Sequence, residues 1–291
     1  MATVDALTLR SWARMVKLSH SVFALPFAFS GAALAAARYG ISWRQILLVA
    51  AAMFTARNAA MGFNRLADHA IDADNPRTKA RELPAGLLTR GVVWAVTIAL
   101  SAAFVAASFA LNPLCGMLSP VALAIVFGYS YTKRFTWASH LVLGLALAIA
   151  PVGGWIAIAG RIEALPWLLA AAVLFWVAGF DVIYACQDEA FDRSRGLHSI
   201  PARFGIARAL TIARALHVGA LLLMAAVGLA ASLHPIYWAG LALVASVLVW
   251  EHRLVSASDL SRVGVAFLNA NGVISVLYLA TLLAALALGR A

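Results

Sequence analysis

The chain has 291 residues, of which 64% are hydrophobic and only 12% are charged. A soluble domain carries about twice that share of charged residues, so the composition excludes a soluble globular protein. The net charge of +10 would suit a nucleic-acid partner, but the basic residues fall mainly in loops predicted to lie on one side of a bilayer, which indicates membrane orientation and no nucleic acid.

Successive apolar runs of about 17 to 25 residues predict an all-α polytopic membrane protein, because helices of that length cross the hydrocarbon core. The other spanning architecture, a closed β-barrel, needs a sustained period-2 alternation that this sequence does not show. We predict a single domain over residues 1–291. It contains about nine transmembrane helices, at 20–38, 45–63, 91–111, 113–130, 139–160, 165–186, 210–231, 235–250 and 264–289. Two long polar connections join predicted spans: residues 64–90 lie between the second and third, and residues 187–209 between the sixth and seventh.

The first acidic cluster lies where the second predicted span enters a polar connection. Asn64, Asp68 and Asp72 are spaced at i, i+4 and i+8, which on a helix places them within roughly 80° of one another. Two carboxylates one turn apart repel each other. The spacing therefore indicates that a cation lies between them.

A second cluster, Asp181, Asp188 and Asp192, begins at the end of the sixth predicted span and falls within about 40° on a helical wheel. Carboxylates are ligands that Mg²⁺ prefers, and Mg²⁺ is typically held by one or two of them together with substrate phosphates. We therefore predict that Asp68, Asp72, Asp188 and Asp192 hold Mg²⁺ beside a diphosphate, with Asn64 nearby. The alternative is a solvated loop whose acids balance neighbouring arginines.

Four further residues are candidates for binding the substrates. Arg57 lies seven residues before Asn64, inside a predicted span, where an arginine is expensive and is a functional candidate unless it snorkels to the interface. Tyr129 and Lys133, at i and i+4, can offer a phenol and an ammonium to one anion, although an interfacial tyrosine and lysine are common. Lys17 precedes the first span and is in reach of a phosphate.

The distribution of lysine and arginine predicts the orientation. Placing the N-terminus in the cytoplasm puts seventeen of these residues on that side and four on the other, with Arg57 inside a span. We expect an integral protein of the cytoplasmic (inner) membrane without a cleavable signal peptide, with both acidic clusters cytoplasmic and the C-terminus on the opposite side. Cys115 and Cys186 form no motif and are interpreted as small buried hydrophobic residues.

At these residues the sequence resembles the UbiA superfamily of intramembrane prenyltransferases. Asn64-x3-Asp68-x3-Asp72 is similar to the first signature of that family, Asp181…Asp188-x3-Asp192 to the second, and Tyr129-x3-Lys133 to its tyrosine–lysine motif. Many relatives have Asp directly after the first Asn, where this chain has Arg65. The resemblance covers nearly the whole chain and implies a helical bundle around a central cavity, capped by two cytoplasmic loops.

Several short segments narrow the resemblance. Within the superfamily they look most like 4-hydroxybenzoate polyprenyltransferases of ubiquinone biosynthesis, and equally like enzymes of the futalosine route to menaquinone, which act on a naphthoate-type acceptor. These segments are Leu25-Pro26-Phe27, Asn75-Pro76-Arg77-Thr78, Leu83-Pro84-Ala85-Gly86, Lys133-Arg134-Phe135-Thr136 and the run from Gly196 to Pro201.

The resemblance implies Mg²⁺-assisted transfer of a polyprenyl group from an allylic diphosphate to an aromatic acceptor. Lys17, Lys133 and Tyr129, with Arg65 or Arg77, would neutralise the diphosphate. Asp181 would position the acceptor or accept its ring proton, and Arg57 would bind an acceptor carboxylate, because a guanidinium fork suits it. An ion-coupled transporter is the alternative of another class, although transporters place such acids near the bilayer midplane on broken helices.

Overall fold

The structure, a computed structural model, describes residues 6–16 and 25–289, and every regular element among these residues is a helix. The nine longest helical regions are α2 (Leu25–Tyr39), α3 (Trp43–Ala67), α5 (Arg90–Leu111), α6 (Pro113–Thr132), α7 (Ser139–Ala159), α8 (Leu165–Ala185), α11 (Ile206–Ala230), α12 (Ile236–Arg253), and α13 (Val263–Val265) continued by a π-helical turn (Ala266–Ala270) into α14 (Asn271–Leu288). The shorter ones are α1 (Ala6–Met15), α4 (His69–Asp74), a 3₁₀ turn (Cys186–Asp188), α9 (Glu189–Ser194) and α10 (Ile200–Phe204). The predicted all-α fold class is confirmed.

Seven helices in the described part of the chain are long and apolar enough to cross a membrane. At the positions of the other two predicted spans, α2 has 15 described residues, and α12 ends in the polar residues Glu251, His252 and Arg253. The protein is an integral membrane protein, and the count of nine spans stays a prediction.

The centre of the bundle is formed by α7 and α8, which pack on each other. Helix α7 also packs on α2, and α8 on α11. Their apolar side chains join a core that includes Phe27, Trp155, Trp176 and Tyr278, all 2% exposed or less. The outer helices α5 and α6 are mostly unburied along their length, as expected for surfaces that face lipid.

Two glycines allow α2 and α7 to approach closely. A Cβ atom on Gly31 would lie 1.9 Å from the carbonyl oxygen of Pro151, and one on Gly154 would lie 2.0 Å from that of Ala28. Small residues at helix contacts are typical of membrane bundles, where packing of backbones replaces the hydrophobic driving force. This contact fixes one wall of the bundle against its central helix.

The chain between the long helices forms two cap segments at the same end of the bundle. The first cap segment, residues 68–89, consists of α4 and the turns after it. The second, residues 186–205, consists of the 3₁₀ turn, α9 and α10. Arg195 of the second segment pairs with Asp74 of the first, with 3.1 Å between Nη2 and Oδ2. The sequence predicts that the two long polar connections lie on the same side of the membrane, and in the structure they contact each other.

Candidate active site

A cavity of about 800 Å³ opens beneath the two cap segments. Polar side chains line the end near the caps, and apolar side chains from α3, α5, α6, α7 and α8 line the rest. Every candidate site residue within the described chain borders this cavity: Arg57, Asn64, Arg65, Asp68, Asp72, Arg77, Tyr129, Lys133, Asp181, Asp188 and Asp192. Lys17, the remaining candidate, lies outside the described residues. The cavity therefore has the polarity of a molecule with a charged head and a long apolar tail.

Asp68 lies at the junction of α3 and α4 and is 4% exposed. One carboxylate oxygen accepts from the ammonium of Lys133 at 2.6 Å and from the side-chain amide of Asn64 at 3.2 Å. The other accepts from the guanidinium of Arg134 at 3.2 Å. A buried carboxylate needs such partners, because burial without them costs several kcal/mol.

Asp72 is equally buried, one turn further along α4. Nη1 of Arg81 donates to both of its oxygens, at 2.8 and 2.9 Å. Nη1 of Arg65 lies 3.7 Å from Oδ2, and the Nε of Arg65 donates to the carbonyl of Met15 at 3.5 Å. The repulsion expected between Asp68 and Asp72 is thus offset by basic side chains of the chain itself.

Asp188, at the end of the 3₁₀ turn, is held from the first cap segment. Asn75 donates its side-chain amide to Oδ1 at 3.0 Å, and Nε of Arg77 donates to the same oxygen at 2.8 Å. A second guanidinium nitrogen of Arg77 donates to Oδ2, and a third donates to the hydroxyl of Tyr184 at 2.9 Å. Burial opposes the charge of Arg77, but its bonds to Asp188 outweigh burial and raise the pKa of Arg77 above its ordinary value.

The spacing of each acidic cluster predicts one continuous helix, but the structure interrupts the helix within both clusters. Helix α3 ends at Ala67 and α4 begins at His69, with Asp68 between them, although Asp72 still donates its backbone N–H to the Asp68 carbonyl at 2.8 Å. The 3₁₀ turn separates α8 from α9, so that Asp181, Asp188 and Asp192 lie on three different elements. A 3₁₀ turn advances each residue further around the axis than an α-helix does. The three aspartates nevertheless border one cavity.

Asp181 sits deeper than the other acids, in the last turns of α8. Its Oδ2 lies 2.6 Å from Nδ1 of His140, in the first turn of α7. The other ring nitrogen of His140 accepts from the backbone N–H of Ile200 at 3.2 Å. A short chain of hydrogen bonds therefore runs from the second cap segment to the cavity wall.

The remaining candidates occupy separate parts of the wall. Arg57 lies about 10 Å along α3 from Asn64, by the helical rise, and donates to the carbonyl of Val16 at 3.1 Å. Tyr129 is half-buried on α6, and Lys133 follows the end of that helix. The Lys133 carbonyl accepts from the backbone N–H of His198, at 2.7 Å, which ties α6 to the second cap segment.

Sequence reasoning missed four polar residues of the site: Asn75, Arg81, Arg134 and His140. Asn75 and Arg134 stand within segments that carried the family resemblance, but the residues they contact are 113 and 66 positions away. A histidine in the first turn of an apolar helix was an available signal for His140, because polar groups in spans are functional candidates. The partners themselves follow only from the fold.

The carboxylates do not form a complete metal site by themselves, but they can hold Mg²⁺ together with a substrate. Among the described residues no group of three or more His, Cys, Asp or Glu side chains is arranged to hold a metal ion. Asp68 and Asp72 on one side, and Asp188 and Asp192 on the other, supply oxygen ligands to a cavity that also has room for a substrate. This donor set suits a hard cation that takes its remaining ligands from phosphate and water.

Comparison with known proteins agrees with this geometry. The sequence model of the UbiA prenyltransferase family matches residues 24–273. The chain is similar to the 4-hydroxybenzoate octaprenyltransferase of Aromatoleum aromaticum, with 31% identity over 237 residues, which are 81% of this chain and 80% of that protein.

Two solved structures are similar to the fold. The apo structure of a UbiA homologue from Aeropyrum pernix K1 has a TM-score of 0.83 and 38% identity, covering 91% of this chain and 97% of that one. A UbiA homologue from Archaeoglobus fulgidus bound to GPP and Mg²⁺ has a TM-score of 0.76 and 23% identity, covering 95% of this chain and 99% of that one. At that identity the second likeness shows the fold alone.

Proposed function

The chain belongs to the UbiA prenyltransferase family, and we propose that it transfers a polyprenyl group from an allylic diphosphate to 4-hydroxybenzoate. The enzyme class and the general reaction follow from membership of the family. The acceptor comes from the name of the Aromatoleum aromaticum relative and from the segments that resemble 4-hydroxybenzoate polyprenyltransferases.

The observation that carries this proposal is the division of the cavity into an acidic and basic end and an apolar remainder. A polyprenyl diphosphate has the same division. Its diphosphate would lie beneath the cap segments, and its tail would lie among the apolar side chains of α3, α5, α6 and α7. A pocket of about 800 Å³ has the size of a typical ligand site.

We propose that Asp68 and Asp72 hold Mg²⁺ on one side of the diphosphate and that Asp188 and Asp192 hold it on the other. Asn64 would orient Asp68, as its 3.2 Å hydrogen bond allows. When bound, the metal would stabilise the negative charge that develops on the leaving diphosphate. The Archaeoglobus fulgidus homologue, which shares the fold, was solved with GPP and Mg²⁺.

The basic residues that form ion pairs with the acids would bind the diphosphate when substrate is present. Lys133 and Arg77 each have a side chain on the cavity wall, within reach of both a carboxylate and a ligand. Tyr129 and Lys17 are further proposed ligands, the latter outside the described residues. Arg65 is 6% exposed behind Asp72 and fits the role of holding that acid better than direct contact. Preorganised cations of this kind stabilise the charge that forms as the allylic C–O bond breaks.

The allylic cation must be kept from water until the acceptor attacks. Phe180 and Tyr184 border the cavity beside Asp181, and their π faces suit a carbocation. Phe175 and Trp176, on the same helix α8, do not border the cavity, and Trp176 packs in the core. A membrane-embedded cavity with these walls excludes water.

We propose that Arg57 binds the carboxylate of the acceptor and that Asp181 takes the proton from its ring. The electron pair of the broken C–O bond leaves with the diphosphate, and a pair from the ring forms the new C–C bond. Loss of the ring proton to Asp181 then restores aromaticity. Both residues border the cavity.

The site would face the cytoplasm. The cap segments carry Arg77, Lys79, Arg81, Arg193 and Arg195, and the opposite ends of the helices carry few basic residues. By the positive-inside rule this end of the bundle is cytoplasmic, the N-terminus lies on the same side, and the C-terminus lies on the other.

An acceptor panel in nanodiscs tests the proposed function. The purified protein would be offered 4-hydroxybenzoate or a hydroxynaphthoate with geranyl to octaprenyl diphosphates, with and without Mg²⁺. We expect Mg²⁺-dependent release of pyrophosphate and a prenylated 4-hydroxybenzoate. A product formed only from the naphthoate would move the enzyme to menaquinone biosynthesis. Substrate counterflow in liposomes without pyrophosphate release would replace transfer by transport.

A further inference from the structure

His140 is a buried histidine that belongs to none of the acidic or basic motifs. It is 3% exposed, lies in the first turn of α7, and borders the cavity. Each of its ring nitrogens has one partner: Asp181 at 2.6 Å and the backbone N–H of Ile200 at 3.2 Å.

These two contacts determine the tautomer. A backbone N–H can only donate, so the Nε2 atom that accepts from Ile200 carries no proton. The ring proton is therefore on Nδ1, which donates to the Asp181 carboxylate. Ile200 opens α10, where backbone N–H groups have no partner within the helix, so the contact also satisfies an otherwise unpaired donor.

We propose that His140 is a positioning residue for the transfer reaction, which orients the carboxylate of Asp181 toward the acceptor. This inference rests on the proposed function, in which Asp181 takes the ring proton. A donor aimed at one carboxylate oxygen fixes the orientation of the carboxylate and the direction of its free lone pairs. The proton then moves from the ring carbon to Asp181, while the His140 proton stays on Nδ1.

The Ile200 contact makes this arrangement depend on the cap. The second cap segment also donates from the N–H of His198 to the Lys133 carbonyl, and Ser139, next to His140, donates to the His198 carbonyl at 3.5 Å. The start of α7 is thus fixed from the same segment that carries Asp192. His140 acts on the reaction through Asp181, and the cap holds its ring in place.

Two substitutions separate the two contacts of His140. In His140→Asn the side-chain amide nitrogen is placed near the position of Nδ1, so donation to Asp181 is kept and the contact with Ile200 is lost. In His140→Gln the longer amide reaches the position of Nε2, so an oxygen can accept from Ile200 while Asp181 loses its donor. The pair keeps a polar side chain at the same buried position.

The test measures kcat and the KM for each substrate in these variants, alone and combined with Asp181→Asn. We expect His140→Gln to lower kcat about tenfold to a hundredfold, as loss of an orienting hydrogen bond typically does, with the KM for the prenyl diphosphate unchanged. His140→Asn should retain most of kcat. In the Asp181→Asn background His140→Gln should have no further effect on kcat, because residues that act through one another are not additive.

The proposal is overturned if His140→Gln lowers kcat by the same factor with and without Asp181, or if His140→Gln is active while His140→Asn is not. Either result would assign His140 to holding the cap. These results need an active wild-type enzyme, so failure of the proposed function would appear earlier, as absence of transfer by the unmodified protein.

Discussion

Asp68 and Asp188 of the candidate site are both held by basic side chains. Each is a carboxylate near the membrane boundary whose charge is offset by basic residues distant in sequence, Lys133 and Arg134 for the first and Arg77 for the second. Lys133 and Arg77 border the cavity together with the acids that they hold. In the proposed complex the basic side chains would bind substrate phosphates and the acids would bind a metal ion. These pairs also agree with the alternative that the acids balance neighbouring basic residues, so the proposed role of the acids rests on their position at the cavity.

We expect Asp68→Asn and Asp188→Asn each to lower kcat/KM by at least about a hundredfold. Each change removes a proposed ligand of the Mg²⁺ that would stabilise the leaving diphosphate, and losing one such electrostatic contribution has an effect of about that size. The measurement is pyrophosphate release in nanodiscs at saturating Mg²⁺. Asp74→Asn is the matched control, since Asp74 lies in the same cap segment but is about half exposed and pairs with Arg195 at the surface. Near-normal turnover of Asp68→Asn or of Asp188→Asn would refute the proposed role of these acids.

Arg57 is expected to matter for the acceptor alone. Arg57→Ala should weaken binding of the acceptor, 4-hydroxybenzoate, and raise its KM about tenfold to a hundredfold, the effect of losing a charge-assisted hydrogen bond of about 1.5–3 kcal/mol. The KM for the prenyl diphosphate should not change. A phenolic acceptor without a carboxylate provides the control, because its KM should be the same in both proteins. Equal losses for donor and acceptor would contradict the assignment.

At the scale of elements, the contact between α2 and α7 sets the position of a cavity wall. Gly154 faces α2 at a distance that leaves no room for a methyl group, whereas a methyl group on its neighbour Gly153 would extend into open space. Gly154→Ala should therefore lower the thermal midpoint in detergent, by overpacking that costs about 1–3 kcal/mol. Gly153→Ala should leave it unchanged or raise it, since alanine favours helix. Equal midpoints for the two variants would show that α2 and α7 separate easily.

The comparison of predicted and observed helices shows what hydropathy can detect. The predicted span 45–63 corresponds to α3, Trp43–Ala67, and the predicted span 210–231 to α11, Ile206–Ala230. Hydropathy ends where charged residues begin, but the backbone hydrogen bonds of a helix continue past that boundary. The extra turns carry Asn64 and Arg65 in α3 and Arg208 in α11.

The acids of the candidate site could be predicted from the sequence, but the residues that contact them could not. Spacing alone selected Asp68, Asp72, Asp188 and Asp192, because acidic residues in register at span ends are rare. The bonds from Asn75 to Asp188 and from His140 to Asp181 join residues 113 and 41 positions apart. Such contacts depend on how helices pack, which local spacing does not specify. The family resemblance, in contrast, is confirmed by the match over residues 24–273.

At the scale of the whole molecule, the orientation in the membrane is a separate prediction. The experiment starts from a protein in which Cys115 and Cys186 are replaced by serine, since these are its only cysteines. A membrane-impermeant maleimide should label Ile162→Cys in intact cells and Ser256→Cys only in inverted vesicles, because both positions are exposed and lie at opposite ends of the bundle. The reverse pattern would place the site on the outer side.

The molecule as a whole is two acidic cap segments brought over one cavity by a bundle whose central helices are α7 and α8. The first segment follows α3 and the second follows α8, and they meet through Asn75, Arg77 and Asp188. Neither half of the chain has a complete site. The proposed function therefore requires the bundle to place both segments above the same ligand.

The most direct test is a structure of the protein with a non-ionisable prenyl thiodiphosphate and Mn²⁺, located by its anomalous scattering. We predict one diphosphate beneath the caps, with Mn²⁺ bound by Asp68 or Asp72 on one side and by Asp188 or Asp192 on the other, and the prenyl chain in the apolar part of the cavity. A diphosphate that contacts only one of the two acidic clusters, or that binds outside the cavity, would contradict this account.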